Sequence, residues 1–429
     1  MEKLRILIFS IFATIMCILF LLSTCTKIKA PIDDLHIDIP DNNVLTNSLD
    51  NVLPDNSTFI EDYSQQNITQ YEAKIVVHFT SMSSGEVPEN MWYMNKMQYD
   101  WPENRILHTF GPSELLLESL EEEPLATVLV VFQPDWGKYM DKAAMAEIRG
   151  KYPDMLIVGY FPRGNILDQE MRANFDLIIA PDYVAVAKTI PDQAQSMGAE
   201  YFFYYNYSYE NYLYSYEEYL YPYEEYFADI ANRLFKESCE QVGLKYSAKE
   251  FDKPEPSNIL YDATYTSMKE DVQAQVDKYG TAAAFYSPDI QVQSELAYAA
   301  LSENAICVPF CWYNNMSNPT GVWFGSDYEL NYPKANKDIS EFIAEKGGTG
   351  RFATWPVSID MLSLEAASNY ALAYADGNNS LKHIDKDFLA KCFQEAMAKL
   401  GYPDHQVHIN TYDEYGDNCF FISEDYIIY

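Results

Sequence analysis

Residues 126–132 read Ala126-Thr127-Val128-Leu129-Val130-Val131-Phe132, and Gln133-Pro134-Asp135-Trp136 follows at once. A short, uncharged, uninterrupted run of β-branched and aliphatic residues predicts a strand covered on both faces, the condition of a parallel sheet flanked by helices. Similar runs lie on either side: 74–79 (KIVVHF), 104–108 (NRILH), 155–160 (MLIVGY) and 175–180 (FDLIIA). Amphipathic stretches such as 138–151 separate them, and strand-helix alternation of this kind predicts a doubly wound α/β sheet. The pattern resumes at 282–286 (AAAFY) and 305–310 (AICVPF) after a long helical region, so two sheets and two lobes are expected.

Between the two sets stands a threefold heptad, 207–213 (YSYENYL), 214–220 (YSYEEYL) and 221–227 (YPYEEYF). Pro222 suits a first helical turn and Gly243 a helix stop, so a helix from about Pro222 to Val242 is predicted. Its Tyr rings either pack on the lobe or form a sticky aromatic surface for a glycan or a partner.

The chain has 429 residues and a formal net charge of −35, with 64 acidic against 29 basic side chains. Nucleic-acid affinity rests on Lys and Arg neutralising phosphates, so so acidic a chain argues against a nucleic-acid partner. At the start, Lys3 and Arg5 precede an apolar run from Ile6 to Leu22, which ends in Leu22-Ser23-Thr24-Cys25. Charged start, apolar middle and small-residue site form an export signal over residues 1–24. The cysteine makes it similar to a bacterial lipoprotein signal, with Cys25 the acylated residue; an uncleaved anchor is the alternative. Residues 25–73 contain no Lys or Arg after Ala30 and are rich in Asp, Asn and Ser, the composition of a solvated tether. The expected location is therefore the extracytoplasmic face of a membrane, held by a lipid anchor. Seven cysteines at irregular spacing suggest no disulfide framework, and Cys307-x-x-x-Cys311 has no nearby pair to complete a metal site. No metal and no cofactor are expected.

Three further stretches carry a family resemblance: 184–203 (VAVAKTIPDQAQSMGAEYFF), 235–246 (FKESCEQVGLKY) and 345–372 (EKGGTGRFATWPVSIDMLSLEAASNYAL). With the strands around Ala284 and Val308, they resemble an uncharacterised family of exported Gram-positive proteins within the type 1 periplasmic-binding-protein-like superfamily. The resemblance implies two Rossmann-like lobes joined by a three-crossover hinge, with a ligand cleft between them. Expected boundaries are 74–200 with 355–400 for the N-terminal lobe, and 201–354 with 401–429 for the C-terminal lobe. Residues 351–356 resemble the third crossover, which puts Thr354 and Trp355 near the hinge.

Ligands of open α/β sheets sit beyond the carboxyl ends of the strands. Applied strand by strand, that rule selects Ser83 and Ser84 after the first, Asp135 and Trp136 after the third, Arg163 after the fourth and Asp182 after the fifth. In the second lobe it selects Asn206, Asp289, Trp312 and Asn314. Trp faces suit the apolar side of a sugar ring or nucleoside base, and Asp, Asn and Arg read its polar edges. The expected function is binding of a small polar organic solute and its presentation to an ABC-type permease. Two alternatives stand beside it: a ligand-sensing module for a membrane receptor, and a cleft glycosidase using Asp135 and Asp289 as its carboxylate pair. No catalytic motif such as G-x-S-x-G or H-E-x-x-H occurs, so an enzyme is not expected.

Overall fold

Along Val128–Phe132 (β3) alternate residues bury into opposite layers. Val128, Val130 and Phe132 enter one apolar cluster, whereas Leu129 and Val131 enter another. Full burial of a Val, Leu or Phe side chain contributes about 1.5–3 kcal/mol, so a strand that is apolar on both faces is stable only between two helical layers. The computed structural model describes residues 74–79, 106–110, 113–123, 125–132, 142–161, 169–208, 221–252, 258–288, 290–308 and 331–429. The expected signal, Cys25 and the tether lie outside these residues.

Around β3 the first sheet assembles in the order β11-β12-β5-β4-β3-β1-β2. Its strands are Ile75–Phe79 (β1), Ile106–Phe110 (β2), β3, Leu156–Tyr160 (β4), Leu177–Pro181 (β5), Val407–Asn410 (β11) and Cys419–Glu424 (β12). Every pairing is parallel except β11 with β12. Ser113–Glu122 (α1), Lys142–Lys151 (α2) and Gln169–Arg172 (α3) cover one face through Leu116, Leu120, Met145, Ile148 and Met171. Ile359–Ala375 (α9) and Lys386–Lys399 (α10) cover the other. Helix α9 is buried on nearly every side, because it is sandwiched between the sheet and α10.

The second sheet has the order β7-β6-β8-β9, all parallel: Tyr201–Ser208 (β6), Lys245–Asp252 (β7), Ala283–Tyr286 (β8) and Ile306–Cys307 (β9). Tyr183–Ser196 (α4) and Tyr221–Val242 (α5) pack on one face. Asn258–Tyr279 (α6), Ile290–Ser302 (α7) and Tyr332–Glu345 (α8) pack on the other. Helix α5 starts at the third heptad and stops at Gly243, whose φ of +82° is the left-handed conformation expected at such a stop.

The molecule is thus two α/β lobes of mostly parallel sheets in the type 1 periplasmic-binding-protein-like arrangement. The chain passes between them three times: at Pro181–Asp182, between Ala353–Thr354 (β10) and α9, and between β12 and Ile427–Ile428 (β13). Two expected boundaries move. Helix α4 packs against α5, so residues 183–200 belong to the second lobe. Residues 407–424 belong to the first, since β12 extends the sheet beside β5, with Cys419 opposite Ile178. Only the tail beyond Glu424 returns to the second lobe, where β13 pairs with β10. Residues 351–356 accordingly lead into the second crossover in chain order rather than the third.

Candidate functional site

At the carboxyl edge of the first sheet, the parallel register sets Phe79 beside Phe132 and Phe132 beside Tyr160. Their rings form a continuous ladder, with centroids 5.2 Å and then 4.6 Å apart, the second pair stacked at 12°. Such offset contacts add to the stabilisation from burial alone. The ladder ends in a polar contact: the Tyr160 hydroxyl donates to Asp360 Oδ1 in the first turn of α9. A carboxylate is favoured there because the unpaired N–H groups of a helix start carry partial positive charge. The second lobe presents a matching aromatic layer, in which Tyr204 and Tyr286 are register partners 5.9 Å apart.

Where the chain changes lobe, buried polar side chains concentrate. Asp182 caps α4 by accepting the Ala185 N–H at 2.8 Å. Asn410 Nδ2 donates to its Oδ2 at 2.7 Å and the Tyr412 hydroxyl to its Oδ1 at 2.8 Å. Burial, with the Asp182 charge adding to it, pushes the Tyr412 phenol well above its ordinary range. In the second crossover Trp355 is wholly buried, and its ring lies 6.4 Å from that of Tyr426 in the third. Thr189 Oγ1, on α4 just past the first crossover, is 3.2 Å from the Tyr426 phenol oxygen. All three crossovers therefore meet in one packed waist.

Two buried groups in this waist are poorly satisfied. Thr354 Oγ1 has no hydrogen-bond partner. Neither carboxylate oxygen of Glu424 meets a partner in good hydrogen-bond geometry. Burial raises the Glu424 carboxyl well above its usual range, and the backbone N–H of Val357 offsets that only in part.

Of the positions selected by the strand-end rule, Asp182 and Asn206 fall among the described residues, as do Thr354 and Trp355, which the family resemblance put near the hinge. Asp182, Thr354 and Trp355 gather at the crossovers. Asn206 is half-buried near the end of β6, in register with Glu250. Ser83, Ser84, Asp135, Trp136, Arg163, Asp289, Trp312 and Asn314 lie outside the described residues. The sequence reading overlooked Asp360, Glu424 and Asn336. Asp360 left a faint signal as the acidic residue after Ser358 at a helix start; the other two left none.

The described cysteines are buried and unpaired. Burial pushes the Cys239 and Cys392 thiols up to about 12 and Cys419 to about 11, leaving each protonated at neutral pH. Among the described residues, no group of three His, Cys, Asp or Glu side chains could hold a metal ion. His78 is a satisfied strand residue, with Nδ1 2.8 Å from Thr109 Oγ1. Nor, among those residues, is any helix long and apolar enough to cross a membrane.

Two lobes, three clustered crossovers and a polar waist define a bilobal α/β protein of the periplasmic-binding-protein-like type. Residues 117–353 match a family described as "Protein of unknown function (DUF3798)", and the chain belongs to that family. None of the curated proteins matches it. Among solved structures it is similar to a proposed transcriptional regulator from Clostridium difficile 630, at 17% identity and a TM-score of 0.63; the match covers 83% of this chain and 99% of that one. That likeness is one of fold. A weaker one, at 12% identity and a TM-score of 0.40, is to the arabinose ABC transporter's periplasmic binding protein from Shewanella sp. ANA-3; it covers 82% of this chain and 91% of that one. Another, at 11% and 0.38, is to a carbohydrate transporter from Acidothermus cellulolyticus 11B in complex with myo-inositol, over 76% of this chain and 99% of that one.

Proposed function

We propose that this chain is an extracytoplasmic solute-binding protein, lipid-anchored through Cys25, that closes its lobes on a small polar organic ligand and presents it to an ABC-type permease. The observation that carries the reading is the waist. Two sheets with separate helical covers are joined by three adjacent crossovers packed through Trp355 and Tyr426. Such a joint lets two rigid bodies rotate about a few residues, and ligand that touches both bodies then favours the closed arrangement.

The residues proposed to hold the ligand are Ser83, Ser84, Asp135, Trp136, Arg163, Asp182, Asn206, Asp289, Trp312, Asn314, Thr354 and Trp355. Thr354 gains support from its unmatched buried hydroxyl, since a buried polar group without a partner calls for a physical reason. Asp360 joins the set as the acidic end of the aromatic ladder. Aromatic faces with isolated polar groups suit a sugar-like or nucleoside-like molecule.

Thermal unfolding of the exported portion, scanned against sugars, nucleosides, amino acids and polyamines, tests the proposal. A true ligand binds only the native state and raises the midpoint as its concentration grows. Thr354→Val is expected to weaken that response by roughly tenfold, the loss of one net hydrogen bond. A scan in which no compound moves the midpoint overturns the binding reading. Crosslinking in cells then separates a permease from a receptor as the partner.

A further inference from the structure

Asn336 lies on α8 in the second lobe and is buried, yet its partners come from three other parts of the chain. Its Nδ2 donates to the Pro356 carbonyl in the second crossover at 2.7 Å and to the Tyr402 phenol oxygen at 2.6 Å. Its Oδ1 accepts the Tyr429 hydroxyl at 2.5 Å. An asparagine amide has two N–H donors, and both are engaged here.

Pro356 and Tyr429 belong to the joint and to the second lobe's own tail. Tyr402 does not. It follows α10, in the first lobe, where the Tyr402 N–H closes the helix end on the Met397 carbonyl at 3.0 Å. The contact of Asn336 with Tyr402 therefore joins the lobes outside the three crossovers.

One turn earlier on α8, a second contact reinforces it. A Cβ placed on Gly401 would come within 2.5 Å of Pro333 Cγ. Gly401 also has a φ of +100°, which disfavours any side chain. The first lobe's backbone is thus pressed against the second lobe's helix at a position that admits only glycine.

We infer that Asn336 and Tyr402, with Pro333 seated on Gly401, form a fourth, non-covalent link between the lobes that restrains their rotation about the three crossovers. The link works because opening it leaves the buried amide of Asn336 short of one acceptor, while the half-buried Tyr402 gives up its partner. It consequently narrows the range of lobe angles that the free protein samples. No ligand enters this argument, so it stands or falls separately from the solute-binding reading.

The test is the inter-lobe distance distribution of the ligand-free full chain. Glu118, exposed on α1, and Lys269, exposed on α6, are each replaced by a ketone-bearing residue and spin-labelled, which leaves every cysteine untouched. Tyr402→Phe removes the polar half of the link and is expected to broaden the distribution roughly twofold. Tyr429→Phe removes a bond to the same asparagine but within one lobe, and is expected to keep the wild-type width. Should Tyr402→Phe fail to fold, Pro333→Ala, which deletes the apolar half of the link, is expected to broaden the distribution in its place. The inference is overturned if the variant that folds matches wild type, or if Tyr429→Phe broadens the distribution as much as Tyr402→Phe does.

Discussion

Glu424 is the residue at which the fold tolerates its clearest electrostatic cost. It ends β12 and enters the third crossover, buried within electrostatic reach of Tyr402 and Tyr426, whose phenols are raised by burial and further by its charge. Because burial raises the folded-state pKa of Glu424 above its unfolded value, the native chain binds the extra proton. Stability from this group is thus greatest at low pH and falls as pH climbs from about 4.3, the unfolded value, through the folded one. Glu424→Gln is neutral at every pH. It is expected to match wild type near about pH 4.5 and to exceed it by about 1–2 kcal/mol near pH 8, as read from urea unfolding. A gap of equal size at both pH values contradicts the account. Glu365 is a milder case: burial raises its carboxyl too, but Lys399 Nζ reaches it at 2.7 Å and offsets the cost. Neither residue was legible as buried in the sequence, because burial of a polar side chain is a property of what packs over it.

Elements divide by whether their pattern survives without a partner. Strands β1, β3, β4 and β5 were readable because they are apolar on both faces, and helix α5 because Pro222 and Gly243 bracket it. Strand β7, with the sequence KYSAKEFD, gave no such signal; it is the edge of its sheet and largely exposed, so it carries polar residues where an inner strand carries Val or Ile. Helix α4 was met in the sequence only as a stretch of family resemblance, and its place in the second lobe could not be read there, since only its packing on α5 assigns it. The glycine in β4 shows how closely an inner strand is fitted. A Cβ on Gly159 would lie 2.5 Å from Phe161 and 2.9 Å from Phe175, which themselves meet edge to face at 5.0 Å. Gly159→Ala is therefore expected to cost about 1–3 kcal/mol through overpacking, with an unchanged far-ultraviolet circular dichroism spectrum. A variant as stable as wild type would mean that the two rings can move aside.

At the scale of the whole molecule, the two-lobed plan was legible from repeated strand-helix alternation, whereas the waist was not. Residues 351–356 pointed to it only through family resemblance. Its other members, Asp182, Thr189, Glu424 and Tyr426, are scattered along the chain and meet only once the lobes have formed. The same scale decides how charge acts. With 64 acidic and 29 basic side chains, the described ion pairs neutralise little, and most of them are exposed and so weak. The remaining carboxylates repel one another across each lobe and between the lobes, and that repulsion favours the expanded, unfolded chain. Salt shortens its reach to about 10 Å at 0.1 M, so the melting midpoint should rise as sodium chloride goes from about 10 to about 200 mM. Sodium sulfate would also strengthen apolar burial, so chloride is the appropriate probe. The rise should be steep at low salt and flatten once screening is complete. A midpoint that falls over that range would mean that favourable ion pairs, rather than unbalanced carboxylates, dominate the electrostatics of this fold.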